Sequence, residues 1–422
     1  MYFILYDIGI FFYGFIAKLL SLFQVKARKW VEGRQNLLEY LQSELQTKKI
    51  KKNELIWFHC SSLGEFEQGR PLIEAIKEKY PKEKILLTFF SPSGYDIQNE
   101  YAYADIVAYL PLDTKKNARD FVKLVQPKMV FWVKYEFWYY LLENLHHSDI
   151  PVFLISGIFR PNHFFFSPFG KSHRQCLYFF EHIFVQNSTS RNLLEKLNIK
   201  NITVAGDTRL DRVLMIADEN RRYSLIEQFA DASDKPIIIC GSTWPADDDI
   251  IVQYINNNRR QLPYRFIIAP HEIEAHKINA LKKKIKIPAI CYSGSTREKI
   301  GNFDVLIIDN IGMLSALYRY GYFAYIGGAF GTGLHNILEP IVFGLPVVFG
   351  RNYQKFDEAI SIINSKGGVS IKNIEEFSEI AGKFLDTKFY QQTSKKARQY
   401  VTVNQGATSK IMHSLCTSKH LK

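Results

Sequence analysis

The sequence predicts an α/β fold: two Rossmann-like domains facing a cleft, preceded by an N-terminal hydrophobic membrane-anchor helix. Three observations carry that expectation. Two series of apolar strand-like runs alternate with helical stretches, a glycine-rich turn closes the second series, and an apolar segment opens the chain. Strands that alternate with helices form parallel sheets, and such sheets bind ligands beyond the carboxyl ends of their strands. At 422 residues, 47% of them hydrophobic, the chain exceeds what one core usually organises. The expected division is an anchor over residues 1–25, an N-terminal domain over 26–205, a C-terminal domain over 206–395 and a helical return segment over 396–422.

Residues 1–25 are apolar for long enough to cross a bilayer, interrupted by charge only at Asp7 and Lys18. No basic stretch precedes them and no small-residue cleavage site follows, which argues against a cleaved signal peptide. Lys26, Arg28, Lys29 and Arg34 come next, and the positive-inside rule assigns that side, with the body of the chain, to the cytoplasm. At about 100° per residue, Asp7, Gly14, Lys18 and Ser21 share one narrow stripe of the helix. The stripe leaves two placements open, a spanning helix with a partner and a helix lying in the interface.

In the first series, segments 55–59, 85–90, 129–133, 152–155 and 182–185 read as buried strands. His59-Cys60-Ser61-Ser62-Leu63-Gly64-Glu65 stands where the first of them turns into a helix. Glu65 is there either a capping acid or a base at the mouth of a cleft. Aromatic runs at 164–166 and 178–180 read mainly as core.

The second series comprises 236–240, 264–269, 305–308, 322–326 and 347–349. After its first strand, Gly241, Ser242 and Thr243 offer backbone amides and two hydroxyls to a phosphate. Asp247-Asp248-Asp249 follows, and acids in a first helical turn oppose the helix dipole more readily than they mark a metal site. Pro270-His271 closes the next strand, with His271 expected to touch a phosphate or base; its spacing to His276 does not fit HExxH, which excludes a zinc protease. In GGAFGTGLHNILEPIVFGLP, residues 327–346, Gly327 and Gly328 permit a tight turn. His335-Asn336 is expected to open a helix whose free N–H groups face an anion. The Glu339 carboxylate, able to accept two hydroxyl donors, then suits a ribose. The pattern is that of a nucleotide-sugar site.

The formal charge of +12 comes from scattered or short basic runs, which suit an anionic membrane or a phosphorylated substrate. No long basic tail or zinc-finger spacing is found, so nucleic acid is not an expected partner. Five widely spaced cysteines without a CxxC pair point to a reducing compartment.

Together, Trp57-x-His59-x-x-Ser62-x-Gly64-Glu65, Ser91-Pro92-Ser93-Gly94, Tyr135-Glu136-Phe137-Trp138, Gly206-Asp207-Thr208-Arg209-Leu210-Asp211, Gly241-Ser242-Thr243 and Gly327-Gly328 with His335-Asn336-x-x-Glu339-Pro340 resemble the 3-deoxy-D-manno-octulosonic acid (Kdo) transferases. The resemblance runs over nearly the whole chain, including Trp30-x-x-Gly33-Arg34. It implies the two-domain GT-B architecture and inverting transfer of Kdo from CMP-Kdo to a lipid A precursor, lipid IVA, in lipopolysaccharide core biosynthesis. It also implies the cytoplasmic face of the inner membrane, with neither cofactor nor metal. By the same resemblance Glu65 is the general base, presented by Ser62 and Gly64. Gly241, Ser242, Thr243, Pro270, His271, Gly327, Gly328, Asn336 and Glu339 bind the donor, with Glu339 on the ribose and Asn336 on the phosphate. Tyr135, Glu136 and Arg160 lie on the acceptor side. Where many members read Pro-Arg-His, this chain reads Pro270-His271-Glu272. Two other classes stay open: a GT-B transferase using a UDP-sugar on another lipid acceptor, and a non-enzymatic nucleotide-binding membrane-surface protein.

Overall fold

The computed structural model describes every residue except Met1, Tyr135, Thr332, Lys419 and Lys422, and for Tyr2 the backbone alone. The chain forms two compact units, Met1–Arg212 together with Gln405–Lys422, and Val213–Asn404.

The first unit is built on β1 (Leu55–Cys60), β2 (Lys84–Phe89), β3 (Ile106–Tyr109), β4 (Met129–Val133), β5 (Val152–Gly157), β6 (His182–Val185) and β7 (Ile202–Val204). They lie in the order β3-β2-β1-β4-β5-β6-β7, with every neighbouring pair parallel. Both faces are covered by helices, so the strands read as near-continuous apolar runs and alternate residues feed two cores. Trp57 and Trp132 enter one, while Phe58 and Phe131, stacked at 4.7 Å, enter the other. The strand order turns back at β1, which lies between β2 and β4 and is the topological switch point.

The second unit carries β8 (Ile237–Thr243), β9 (Arg265–Pro270), β10 (Ala289–Cys291), β11 (Val305–Ile307), β12 (Phe323–Ile326), β13 (Val347–Phe349) and β14 (Gly368–Ser370). Their order is β10-β11-β9-β8-β12-β13-β14, again all parallel. Here β8, between β9 and β12, is the switch point. The four strands absent from the sequence reading, β3, β7, β10 and β14, are the outermost strands of the two sheets. They are short, and β7, β10 and β14 are only partly buried, so no long apolar run announces them.

The chain leaves the first unit within the Thr208–Asp218 helix and returns at Gln405, whereas the sequence reading divides it before Gly206 and after residue 395. Asp211 ties exit to return by accepting from the Gly406 amide at 2.7 Å and the Thr408 amide at 2.6 Å. The Ala407–Thr417 helix then drives Ile411 and Leu415 into the core beneath β1.

Helix α1 (Tyr2–Ser21) packs along the first unit. Tyr6 Oη donates to Asp113 Oδ2 at 2.5 Å, and Asp113 also accepts the Tyr140 and Leu141 amides. Tyr140 Oη donates to Asp7 Oδ1 at 2.5 Å, Lys115 pairs with Asp7 at 3.2 Å, and Gly14 lies against Leu112. Part of the polar stripe therefore has its partner within its own unit. Leu5, Phe11, Phe15 and Leu19 stay exposed at 61, 67, 55 and 52%. Helix α2 (Val25–Glu32) follows, and Trp30 meets Tyr13 at 5.5 Å and Phe90 at 5.6 Å. Arg34 caps that cluster, its guanidinium 3.9 Å over Trp30 and donating to Phe90 O at 2.8 Å. The aromatic runs behave largely as expected: Phe165 and Phe180 are buried in the core, while Phe164 and Tyr178 stay exposed.

Candidate active site

At the switch point of the first unit, β1 runs through Ser61 into Ser62, the N-cap of the Leu63–Lys79 helix. The Ser62 hydroxyl accepts from the Gly64 amide at 3.2 Å and donates to Glu65 Oε2. Glu65 sits in the first turn, half-buried, where unpaired helix amides favour negative charge, and one of its oxygens is fixed by Ser62. Gly64 is exposed, and a Cβ there would meet only Ser62 Oγ at 3.6 Å, so the residue leaves open space beside the carboxylate. The Ser91 amide donates to Ser61 O at 2.8 Å, tying the Ser91-Pro92-Ser93-Gly94 turn to the same place.

Strand β4 delivers Glu136 next to it. His59, fully buried, holds Nδ1 3.0 Å from Thr88 Oγ1 and points Nε2 at Glu136 Oε2, 4.0 Å away. Trp138 Nε1 donates to the same carboxylate oxygen at 3.1 Å, and Trp132 Nε1 donates to Glu136 O. Burial pushes the Glu136 carboxyl up, but His59, Ser61 and Trp138 outweigh it and hold the group below its ordinary range. Burial pushes the His59 imidazole down, only partly offset by Glu136 and Glu65. Arg160 follows the carboxyl end of β5, one strand further along. Tyr135, expected on the acceptor side, lies outside the described residues.

In the second unit β8 bends at Ser242, whose φ of 52° is left-handed, and its register with β9 slips between Gly241 and Thr243. A Cβ on Gly327 would stand 2.3 Å from Ser242 O, and one on Gly328, at φ 93°, 2.1 Å from Gly333 O. Only glycine allows the two loops to meet through their backbones. The clamp is Asp247, fully buried: Oδ2 accepts the Gly328 amide at 2.8 Å and the Trp244 amide at 3.0 Å, and Oδ1 accepts Tyr325 Oη at 2.7 Å. The three consecutive acids thus differ. Asp249 is exposed and pairs with Lys284 at 2.7 Å, and burial lifts half-buried Asp248 to about 6.

Above the clamp lie three rings. Trp244 stacks on His271 at 4.6 Å and 26°, His271 meets His335 at 4.6 Å, and Trp244 Nε1 donates to His335 Nε2 at 2.9 Å. Accepting at Nε2 requires a neutral imidazole with its proton on Nδ1. Burial, with His271 adding to it, pushes His335 down to about 4.

Two donor-side expectations are corrected. Thr243 is 2% exposed with Oγ1 buried, because the register slip turns it inward; Ser242 stays half-exposed. The helix expected at His335-Asn336 begins at Leu338, as Leu338–Val342. Asn336 Oδ1 accepts the Leu338 amide at 3.1 Å and Nδ2 donates to Glu339 Oε1 at 3.2 Å, so its side chain closes a local turn before the helix. Pro270 and Glu272 border a cavity of about 130 Å³ beside Trp244 that Lys277 also lines, and Lys277 pairs with Glu272 and, at 3.2 Å, with Glu274.

Residues 35–212 match the family model described as 3-deoxy-D-manno-octulosonic-acid transferase (kdotransferase). The chain is 25% identical over 349 residues to the 3-deoxy-D-manno-octulosonic acid transferase of Aquifex aeolicus, covering 82% of this chain and 90% of that protein. Residues 35–212 thus form a Kdo transferase domain, and relatives of that name match over most of the chain. The chain is therefore a glycosyltransferase. It is also 26% identical over 345 residues to a bifunctional glycosyltransferase/methyltransferase of Fusobacterium nucleatum, covering 78% of this chain but about half, 52%, of that longer protein. Among solved structures, the UDP-GlcNAc 2-epimerase of Neisseria meningitidis bound to UDP-GlcNAc superposes with a TM-score of 0.61 at 14% identity, over 86% of this chain and all of that one. That likeness concerns the fold, two Rossmann-like domains of GT-B type.

The sequence reading leaves four residues out of the candidate site: His59, Trp244, Asp247 and His335. His59 carries the one clear signal, a polar residue near the end of the otherwise apolar run Leu55–Cys60. The others act through partners roughly 80 or 90 positions away, which sequence spacing does not register.

Proposed function

We propose that the protein transfers Kdo from CMP-Kdo to a lipid A precursor such as lipid IVA, with inversion, at the cytoplasmic face of the inner membrane in lipopolysaccharide core biosynthesis. The observation that carries this reading is the Ser62–Glu65 turn: a half-buried carboxylate, oriented by a hydroxyl, at the switch point of a parallel sheet. In the proposed reaction Glu65 takes the proton of an acceptor hydroxyl as that oxygen attacks the anomeric carbon opposite the departing CMP. Glu136, with Tyr135 and Arg160, serves the acceptor side.

On the donor side, Glu339 accepts the ribose hydroxyls. Because Asn336 is engaged by Leu338 and Glu339, and the Gly327 and Gly328 amides by Gly241 O and Asp247, the phosphate falls to Ser242 and the remaining amides of the two loops, which Gly241, Gly327 and Gly328 allow to approach closely, with Pro270 and His271 bordering the nucleotide. Fixed amides aimed at a phosphate stabilise the charge of the leaving CMP without reorganisation. Asp247 is assigned to hold the loops that present them.

Packing along the length of α1, with Asp7 and Gly14 against the first unit and an apolar face outward, favours a helix lying in the membrane interface over one crossing it. Exposed Lys26 and Arg28 suit anionic lipid. The test incubates the full-length protein with CMP-Kdo and tetraacylated lipid A disaccharide bisphosphate and weighs the lipid by mass spectrometry. A product heavier by whole Kdo residues is expected. No such product, or a preference for UDP over CMP by calorimetry, overturns the reading.

A further inference from the structure

Between α1, α2 and the Ser91-Pro92 turn runs an apolar cavity of about 350 Å³. Ile16, Ala17 and Leu20 line it from α1, and Ala27 and Trp30 from α2, with Phe90 and Pro92 at its inner end. Ile16 and Leu20 are themselves 50 and 38% exposed, so the cavity opens on the apolar face of α1, next to exposed Leu22, Phe23 and Val25. Lys26 stands on its lining, exposed. The inner end leads to the candidate site by two short routes. The Ser91 amide is bonded to Ser61 O, one residue from the Glu65 turn. The Phe90 ring, 5.6 Å from Trp30 on one side, packs at 4.6 Å on Trp138, whose Nε1 holds Glu136.

We infer that this cavity receives one acyl chain of the lipid acceptor while the sugar to be glycosylated lies at Glu65. The inference rests on the proposed function and extends it to how the lipid is recognised. An alkyl chain suits the lining because its predominantly apolar walls offer it a dry surface. A cation near the opening complements the anionic headgroup of such a lipid, and the continuity of the cavity with the exposed apolar face gives the chain a path from the bilayer. The cavity thus distinguishes an acylated acceptor from the same sugar without its chains.

The test has a binding arm that needs no turnover. Full-length protein in detergent is titrated with tetraacylated lipid A disaccharide bisphosphate brominated on its acyl chains, and separately with phosphatidylglycerol carrying the same brominated chains. Bromine quenches a nearby indole, and Trp30 is isolated as the difference between the protein and its Trp30→Phe variant. Quenching of Trp30 by the brominated acceptor at concentrations where the phospholipid leaves it unchanged is expected, and Ala27→Phe, which fills the cavity, abolishes it. Ala17→Leu serves as a milder filling variant, and thermal melts establish that each variant folds. Equal quenching by both lipids would make the cavity a bulk-lipid contact, and no quenching by either would leave it unoccupied; both overturn the inference. In the kinetic arm Ala27→Phe raises KM for the acylated acceptor by roughly tenfold or more, the scale of withdrawing about two methylenes from an apolar site, and leaves the deacylated acceptor unchanged. Equal loss on both acceptors overturns the inference as well. If the unaltered protein transfers Kdo to neither, the function fails while the quenching result still decides the cavity.

Discussion

The two switch points are built on the same parallel sheet and differ in what they expose. In the first unit carboxylates stand at the surface: Glu65 is held by one hydroxyl, and Glu136 by the Trp138 indole with His59 behind it. In the second unit the best-bonded carboxylate, Asp247, is wholly buried, and what faces outward is a stack of aromatic rings. A group that must exchange a proton needs access and a fixed direction; a group that shapes a loop needs neither and is better kept dry. On the proposed reading, a carboxylate therefore serves chemistry in one unit and architecture in the other.

The sharpest way to break that comparison is Asp247→Ala. Three donors, from Tyr325, Gly328 and Trp244, lose their acceptor, and leaving buried donors unpaired at a charged site costs about 3 kcal/mol or more in total. Denaturant unfolding is expected to register that loss, with CMP binding weakened alongside. Asp249→Ala, at an exposed ion pair, should change stability by well under about 1 kcal/mol, and equal losses at the two positions would erase the distinction.

Next in size is Glu65→Gln. Removing the proposed base lowers turnover on the order of a hundredfold or more while CMP affinity stays nearly unchanged. A parallel collapse of CMP binding by calorimetry would turn Glu65 into a folding or donor-site residue. Glu339→Ala is expected to weaken CMP by about 1 to 3 kcal/mol, the range for charged hydrogen bonds, with little effect on acceptor KM. An unchanged dissociation constant would remove the ribose assignment.

The remaining prediction concerns pH. The folded value of His335, about 4, lies below its ordinary 6.5, so the unfolded chain takes up that proton first. The stabilisation is complete above pH 6.5 and is lost as pH falls toward 4. Thermal melts of His335→Asn between those values should show a shallower pH dependence than the parent protein; an identical slope would show that the ring stack is not coupled to its protonation.

Sequence alone reached the inner strands and the strand-to-helix turn that carries Glu65, because buried parallel strands are long apolar runs and a strand-to-helix turn carries its own capping residues. It did not reach the sheet edges, where β7, β10 and β14 are half-exposed and three residues long. Nor did it read Asp247, whose position in a first turn looks the same whether the carboxylate meets solvent or Gly328. The stripe on α1 was visible in the order of its residues, but that Tyr6 and Asp7 dock it to Asp113 and Tyr140 depends on segments more than a hundred positions away.

The return of the chain at Gln405 bears on how the protein is made. Asp211 has the amides of Gly406 and Thr408 as partners, and Ile411 and Leu415 fill the core under β1. The unit that carries Glu65 thus stays open at its core until the segment that begins at Gln405 has left the ribosome, whereas the second unit, inserted whole between Val213 and Asn404, has all of its residues earlier. The second unit can therefore close its core first, the reverse of the usual order in which the N-terminal domain folds first during synthesis. A ribosome stalled before Gln405 would hold a finished second unit and an uncapped first one, with α1 already outside and its apolar face unshielded.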